Sequence, residues 1–169
     1  TTNQNNIPGS LGKIMVFSDY KMEFGIDSIA KLLKIFGYEE YKIQRETDLN
    51  KELEDKARFI RIHGDIKTDF VKLLLQQYNN PNNNNGDKIQ IILGTRTMME
   101  GISLKCVREV HIVDPWWNES RINQVIARAV RFKSHLDLDP KKQYVNVYKH
   151  YSVYKSFPNK SLFADQIKL

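Results

Sequence analysis

Gln124-Val-Ile-Ala-Arg-Ala-Val-Arg131 is the stretch on which the rest of the chain turns. Gln124, Arg128 and Arg131 stand at relative positions 0, +4 and +7. Residues three and four apart are neighbours on a helix, so the spacing predicts one polar face. Ile122, Val125, Ile126, Ala129 and Val130 fall on the opposite side, which predicts a face packed on a core. Such a helix presents two guanidinium groups and an amide, a donor set suited to phosphate oxygens. An ordinary amphipathic helix with a solvated basic face has the same pattern. Its neighbours decide between the two.

Upstream, Glu109-Val-His-Ile-Val113 predicts a strand closed by Asp114-Pro115, and Lys88-Ile-Gln-Ile-Ile-Leu93 another, with Gly94-Thr95-Arg96-Thr97 as the loop after it. Arg58-Phe-Ile-Arg-Ile-His63 reads as a strand ended by Gly64, followed by a helix over 67–78 with Phe70, Leu73, Leu74 and Tyr78 on its apolar side. Lys13-Ile-Met-Val-Phe-Ser18 is a short apolar run of the kind buried on both faces in a parallel sheet. Ile26, Ile29, Ala30, Leu33 and Phe36 predict a helix over 22–36, with Gly37 as its stop. Residues 41–44 read as a further short strand, 48–56 as a surface helix or loop, and 143–148 as a last strand. Strands alternating with helices define an α/β fold with a mostly parallel central sheet flanked by helices. In such sheets ligands gather beyond the carboxyl ends of the strands. Ser18-Asp19, Gly94–Leu104 and Asp114–Asn118 all fall there.

Composition sets bounds without naming a function. At 169 residues the chain is one domain with tails: a leader over 1–12, a domain over 13–150 and an extension over 151–169, read as a docking or linker segment. A hydrophobic content of 41% and a charged content of 27% are ordinary for a globular protein. The net charge of +6 permits a polyanionic partner without requiring one. Cys106 is the single cysteine, which excludes an internal disulfide and predicts inert packing. His63, His111, His135 and His150 lack metal-ligand spacing, so no metal site is expected. No apolar run is long enough for a membrane span and no signal peptide is visible. The start at Thr1, without methionine, suggests a piece of a longer chain. Residues 79–87 hold six asparagines among the seven residues before Gly86 and predict a mobile surface loop.

The order of these segments resembles the second, C-terminal RecA-like domain of superfamily 2 helicases and translocases. Lys13 to Asp19 resembles motif IV. Gly94-Thr-Arg-Thr-Met-Met-Glu-Gly-Ile-Ser-Leu104 resembles motif V, and Gln124 to Arg131 resembles motif VI, with Ala127 where the family usually has glycine. Arg61-Ile-His-Gly64 and the helix after it resemble the segment between motifs IV and V. The likeness covers 13–150. Asp114-Pro-Trp-Trp-Asn118 is similar to Swi/Snf-type remodelling ATPases, but their Arg-Ile-Gly-Gln ending is missing. Glu100-Gly-Ile-Ser103 with Ser134-His135 looks more like the DNA-dependent nucleoside triphosphatases of large cytoplasmic DNA viruses. Those include the poxvirus-type nucleoside triphosphatase I and the small subunit of the viral early transcription factor. The asparagine bias fits an A+T-rich giant-virus genome.

The resemblance implies a motor that binds ATP and Mg2+ between two RecA-like domains. These 169 residues hold no phosphate-binding loop and no Asp-Glu-x-His box, so those elements are expected on an N-terminal domain of the parent chain. The fragment alone is expected to be inactive. Arg131 is implied as the arginine finger, and Arg128 as a second phosphate contact or an orienting ion pair. Gln124 is implied to position them or the attacking water. Gly101 would form a tight turn near the nucleotide, and Glu100 would pair with an arginine across the cleft or locally. Thr95 and Arg96, with Ser18 behind them, match positions that touch a nucleic-acid backbone, DNA being favoured over RNA; loop capping is the other reading of Thr95. Trp116 and Trp117 are either stacking platforms or packing residues, with packing expected for at least one. Viral transcription machinery is a further implied partner. The expected location is soluble and intracellular, in the host cytoplasm (virus factory) or the virion. A non-catalytic RecA-like docking module is the alternative.

Overall fold

Short apolar strands need cover on both faces, and the chain provides it with one parallel sheet between helices. The computed structural model describes residues 12–43, 53–99, 101–156 and 160–163. Strands β1 (Lys13–Phe17), β2 (Glu39–Glu40), β3 (Arg58–Ile62), β4 (Ile91–Gly94), β5 (Val107–Ile112) and β6 (Asn146–Lys149) lie in the order β2-β3-β4-β1-β5-β6. Each neighbouring pair is parallel. All four residues of β4 are buried, as a strand covered on both sides requires.

Alternation along the strands sorts the core into two layers. Helix α1 (Ile26–Ile35) places Ile26 and Ala30 against Phe59, Ile91 and Leu93, with Ile14 and Val16 beside them. Helices α2 (Thr68–Tyr78) and α3 (Glu119–Ala129) cover the other face, where Met15, Phe17, Ile60, Ile62, Ile92, Val110 and Ile112 are buried. Arg61 ties the first layer to the sheet edge, donating to Asp27 at 2.5 Å and to Glu40 at 2.6 Å.

Several boundaries differ from expectation. α1 begins at Ile26, not Met22, because the Ile26 and Asp27 amides donate to the Tyr20 and Lys21 carbonyls in a preceding turn. β2 occupies 39–40, ahead of the expected 41–44, where Glu39 and Glu40 pair with Arg58 and Phe59. In the extension, β7 (Val153–Ser156) and β8 (Lys160–Phe163) pair antiparallel, apart from the six-stranded sheet. All of the expected leader over 1–12 except Gly12, and residues 44–52, lie outside the described residues. No helix among the described residues is long and apolar enough to cross a membrane.

The asparagine run is built into the domain, which corrects the expectation of a mobile loop. Residues 81–83 form a 3-10 turn, with the Asn80 side chain accepting from the Asn82 amide at 2.9 Å. Asn83 is 1% exposed. Its Nδ2 donates to the carbonyls of Tyr78 and Ile89, both at 3.0 Å. Its Oδ1 accepts from the amides of Lys88 at 3.1 Å and Ile89 at 2.9 Å. One short side chain thus supplies backbone partners that no regular element provides there. Asn79 does the same for the chain before β5, donating to the Ser103 carbonyl and accepting from the Lys105 amide, each at 2.9 Å.

Lys13 opens β1 with a fully buried side chain. Its ammonium donates to the Tyr78 carbonyl at 2.6 Å and the Lys105 carbonyl at 3.2 Å, and lies 4.7 Å from the centre of the Tyr78 ring. Burial lowers its pKa to about 8.

Two outcomes follow from these buried polar groups. Asn83→Ala leaves two amides and two carbonyls short of a partner and is expected to cost about 2–4 kcal/mol in urea unfolding, from the cost of unsatisfied buried groups. A loss under about 0.5 kcal/mol, the range of ordinary surface changes, would show that the turn does not depend on it. For Lys13, the unfolded chain holds a proton above pH 8 that the folded chain has released. The unfolded state therefore binds more protons there, and stability rises with pH from about 8 towards the ordinary lysine value. Lys13→Met is expected to flatten that part of the profile relative to the wild type. An unchanged difference between pH 7 and pH 10 would contradict the assignment.

Candidate functional site

Because β1 runs between β4 and β5, the chain segments leaving the carboxyl ends of all three strands meet at one edge. The Asp19 carboxylate is their common point, its side chain only 2% exposed. Oδ1 accepts from Arg96 Nε at 3.1 Å, in the loop after β4, and from Arg121 Nη2 at 3.0 Å, in α3. Oδ2 accepts from the Trp116 indole N–H, in the loop after β5. The Arg121 guanidinium lies over the Trp116 ring, 4.5 Å from its centre. Asp114 completes the knot by accepting from the Asp19 amide at 2.8 Å. Burial pushes the Asp114 carboxyl above its ordinary pKa, and the Asp19 amide acts against that shift.

The nucleic-acid candidates sit around this knot with unequal access. Arg96 keeps a side chain 63% exposed while its Nε is held by Asp19. Thr95 is 7% exposed; its carbonyl accepts from the Met98 amide and opens a 3-10 turn over 96–99. Ser18 is fully buried, and its hydroxyl accepts from the Tyr20 amide at 3.1 Å. Ser18, the weaker backbone-contact candidate, thus presents no exposed surface in this domain. Trp117 is 84% exposed and Trp116 38%, so neither tryptophan is a core residue. Trp116 is fixed at the surface by Asp19 and Arg121.

α3 starts at an Asn118 cap, whose side chain accepts from the Ser120 amide at 3.0 Å, and Glu119 in its first turn holds Lys149. It ends at Ala129, and this changes the predicted face. Val130 leaves helical geometry and is half exposed, and a turn over 131–134 follows, with Lys133 in the left-handed region. Arg131 therefore lies beyond the helix. Arg121, three residues before Gln124 and seven before Arg128, fills the third position on that face. The spacing alone could have found it. Gln124 is exposed and Arg128 half-buried.

Arg131 and Arg128 are instead joined to the motif V segment. Arg131 Nη1 donates to the Ser103 hydroxyl, and the Leu104 amide donates to the Arg128 carbonyl at 2.9 Å. The Cys106 amide continues the seam by donating to the Ser134 carbonyl at 2.9 Å. Gly101 turns the chain ahead of it, at φ +65 with open space where a side chain would point. Glu100 lies outside the described residues. The predicted residues thus form two groups: Arg96 and Thr95 about Asp19, and Arg128, Arg131 and Gly101 along 101–106. Each group presents an exposed arginine, Arg96 in the first and Arg131 in the second, and a guanidinium fork suits phosphate oxygens. Among the described residues no group of three or more His, Cys, Asp or Glu is placed to hold a metal ion.

Comparison with known proteins gives the family and the fold. The profile of the Helicase conserved C-terminal domain matches residues 7–133, and the chain belongs to that family. A protein of Acanthamoeba polyphaga mimivirus, named as a candidate ATP-dependent RNA helicase, is 35% identical over 85% of this chain and 24% of its own length. A termination factor NPH-I homolog of African swine fever virus is 30% identical over 88% of this chain and 25% of its own. A killer-plasmid helicase of Kluyveromyces lactis is 32% identical over 85% and 22%. The chain therefore spans about a quarter of the length of these relatives. The crystal structure of the C-terminal part of the Fun30 ATPase domain superposes with a TM-score of 0.59 at 19% identity. It covers 83% of this chain and 35% of that one, and shows the RecA-like fold.

The Asp19 knot has a direct optical readout. In a Trp117→Phe background, Asp19→Ala is expected to raise acrylamide quenching of Trp116 and to lower stability by about 1–3 kcal/mol, as loss of a buried charged acceptor does. Unaltered quenching would mean that Asp19 does not hold the indole.

Proposed function

We propose that this chain is the C-terminal motor domain of an ATP-dependent nucleic-acid helicase or translocase, viral and associated with transcription. The observation that carries the reading is the seam between motifs V and VI. Arg131, exposed beyond the end of α3, is braced by Ser103, while Leu104 is bonded to the Arg128 carbonyl. A displacement of either segment is passed to the other through fixed hydrogen bonds. That is what coupling a phosphate-sensing arginine to a nucleic-acid-binding loop requires.

Arg131 is assigned to the γ-phosphate and Arg128 to its support, with Gln124 on the adjoining exposed surface. Bound ATP with Mg2+ supplies the phosphoryl group whose transfer releases the energy for movement. This chain contributes cationic charge fixed in place, which stabilises charge on a transferring phosphoryl group without reorganisation at the moment of reaction. Asp19 and Asp114 are engaged with cations and amides, so the residues described here are fitted to phosphate and not to the metal. The metal ligands and phosphate-binding loop are assigned to the N-terminal RecA-like domain of the parent. Arg96 is assigned to the nucleic-acid backbone, with Thr95 shaping its loop. Such contacts are salt-sensitive and indifferent to sequence. A DNA track is favoured by the sequence likeness of Glu100-Gly-Ile-Ser103 and Ser134-His135 to viral DNA-dependent enzymes, and the African swine fever virus relative named as a termination factor supports a role in transcription.

The test is ATP hydrolysis by the full-length parent, alone and with single-stranded DNA, duplex DNA or RNA. Arg131→Ala is expected to lower stimulated turnover by roughly 10³-fold or more, the range for removing an arginine finger, while nucleic-acid binding changes little. Turnover unaffected by that substitution would replace the motor reading with a docking role.

A further inference from the structure

Arg108 is the first residue of β5 that breaks the ladder with β1. Lys13 pairs with Val107 and Ile14 with Glu109, so Arg108 is the extra residue of a β-bulge. A bulge re-aims a side chain that regular alternation would send elsewhere. Here it directs the guanidinium to the amino edge of the sheet, opposite the edge where Asp19 lies. Gly12 makes room for it: a Cβ there would come within 2.3 Å of Arg108 Cγ, and the residue sits at φ +93.

The side chain so accommodated is 9% exposed, and its buried Nε has no hydrogen-bond partner. It forms no ion pair with any described residue. Its guanidinium lies over the face of Tyr144, 4.1 Å from the ring centre. Lys13, the neighbouring buried cation, is satisfied by two carbonyls. A guanidinium has five donors and cannot give up its proton, so burial against a ring face without an ion pair leaves donors to satisfy.

Arg108 lines a cavity of about 480 Å³ together with Lys141, Lys142, Tyr144 and Asn84. Lys141 and Lys142 are exposed on a 3-10 turn capped by Asp139, whose side chain accepts from the Lys141 amide at 2.8 Å. Asp87 and Glu109 also stand on the wall, Glu109 within 3.3 Å of His111 Nε2. Three cations against two carboxylates leave a positive surplus of one. That balance suits a single oxyanion at the cationic side.

We propose that this amino-edge cavity binds one phosphate group, held by Arg108 with Lys141 and Lys142. A planar fork beside two mobile ammonium groups matches the several oxygens of a phosphate better than the two of a carboxylate. The phosphate comes either from a small phosphorylated molecule or from one unit of a nucleic-acid backbone. The site does not rest on the motor reading of the opposite edge.

The test is an NMR titration of the 169-residue chain with inorganic phosphate at fixed ionic strength, following the Arg108 Nε–H and the Tyr144 amide. Saturable shifts of both are expected, with binding weakened by about tenfold or more in a Lys141→Glu, Lys142→Glu double variant, as loss of two charge-assisted contacts implies. Both lysines are exposed, so the double variant keeps the fold, and its unperturbed amide spectrum elsewhere checks this. A ten-nucleotide oligothymidine that displaces phosphate from Arg108 identifies the backbone as the source; one that leaves the Arg108 signal alone identifies a small phosphate compound. No saturable change at Arg108, or equal affinity in the double variant, overturns the proposal. ATP turnover by the parent does not enter the measurement, so its result stands apart from that of the motor test.

Discussion

Holding β1 between two parallel neighbours is the constraint from which most of the molecule follows. Its hydrogen bonds are shared with β4 on one side and β5 on the other, so its two ends decide what the loops around them can do. Beyond the carboxyl end, Asp19 falls within reach of the segments that follow both neighbours. A buried carboxylate there must be compensated, and two arginines and an indole converge on it. At the amino end, the pairing of Lys13 with Val107 forces the bulge that turns Arg108. Charge is thus managed at both ends of one strand, by a full set of partners at the first and by an aromatic face at the second.

Much of this layout was legible in the sequence because apolar spacing reports burial directly. β1, β3, β4, β5 and α2 stand close to where their patterns put them, and the candidate loops gather at the expected edge. What was not legible has physical causes. Nothing in the sequence of Val130 to Ser134 stops a helix: there is no glycine or proline, and the turn is set by hydrogen bonds between residues 103–106 and the chain after α3. Arg131 was therefore placed one turn too far along a helix that had ended. Asp19 was visible only as a loop residue, since its partners lie some 77, 97 and 102 positions away. Composition marked residues 79–87 as polar, but could not show that one amide group would be buried and fully bonded.

The candidate site shows the same division. Residue types and order pointed to the family, and the match over 7–133 agrees. The spatial grouping did not follow from the order. Arg96 is bound to the Asp19 knot and Arg131 to the Ser103 seam, so the two arginines act through different anchors. Asn79, the cap that follows α2, bonds the second anchor at Ser103 and Lys105.

The burial of Asn83 bears on how such a sequence drifts. Positions 82–85 are all asparagine, and only one of them is the plug beneath Ile89. Repetitive codons are prone to slippage during copying, and in most buried positions a gain or loss of one residue would bring in a side chain of the wrong shape. Here the neighbour that slides into place carries the same amide group. The run's monotony makes the plug replaceable by its own neighbours, so a tract that looks like noise acts as spare parts for a buried contact.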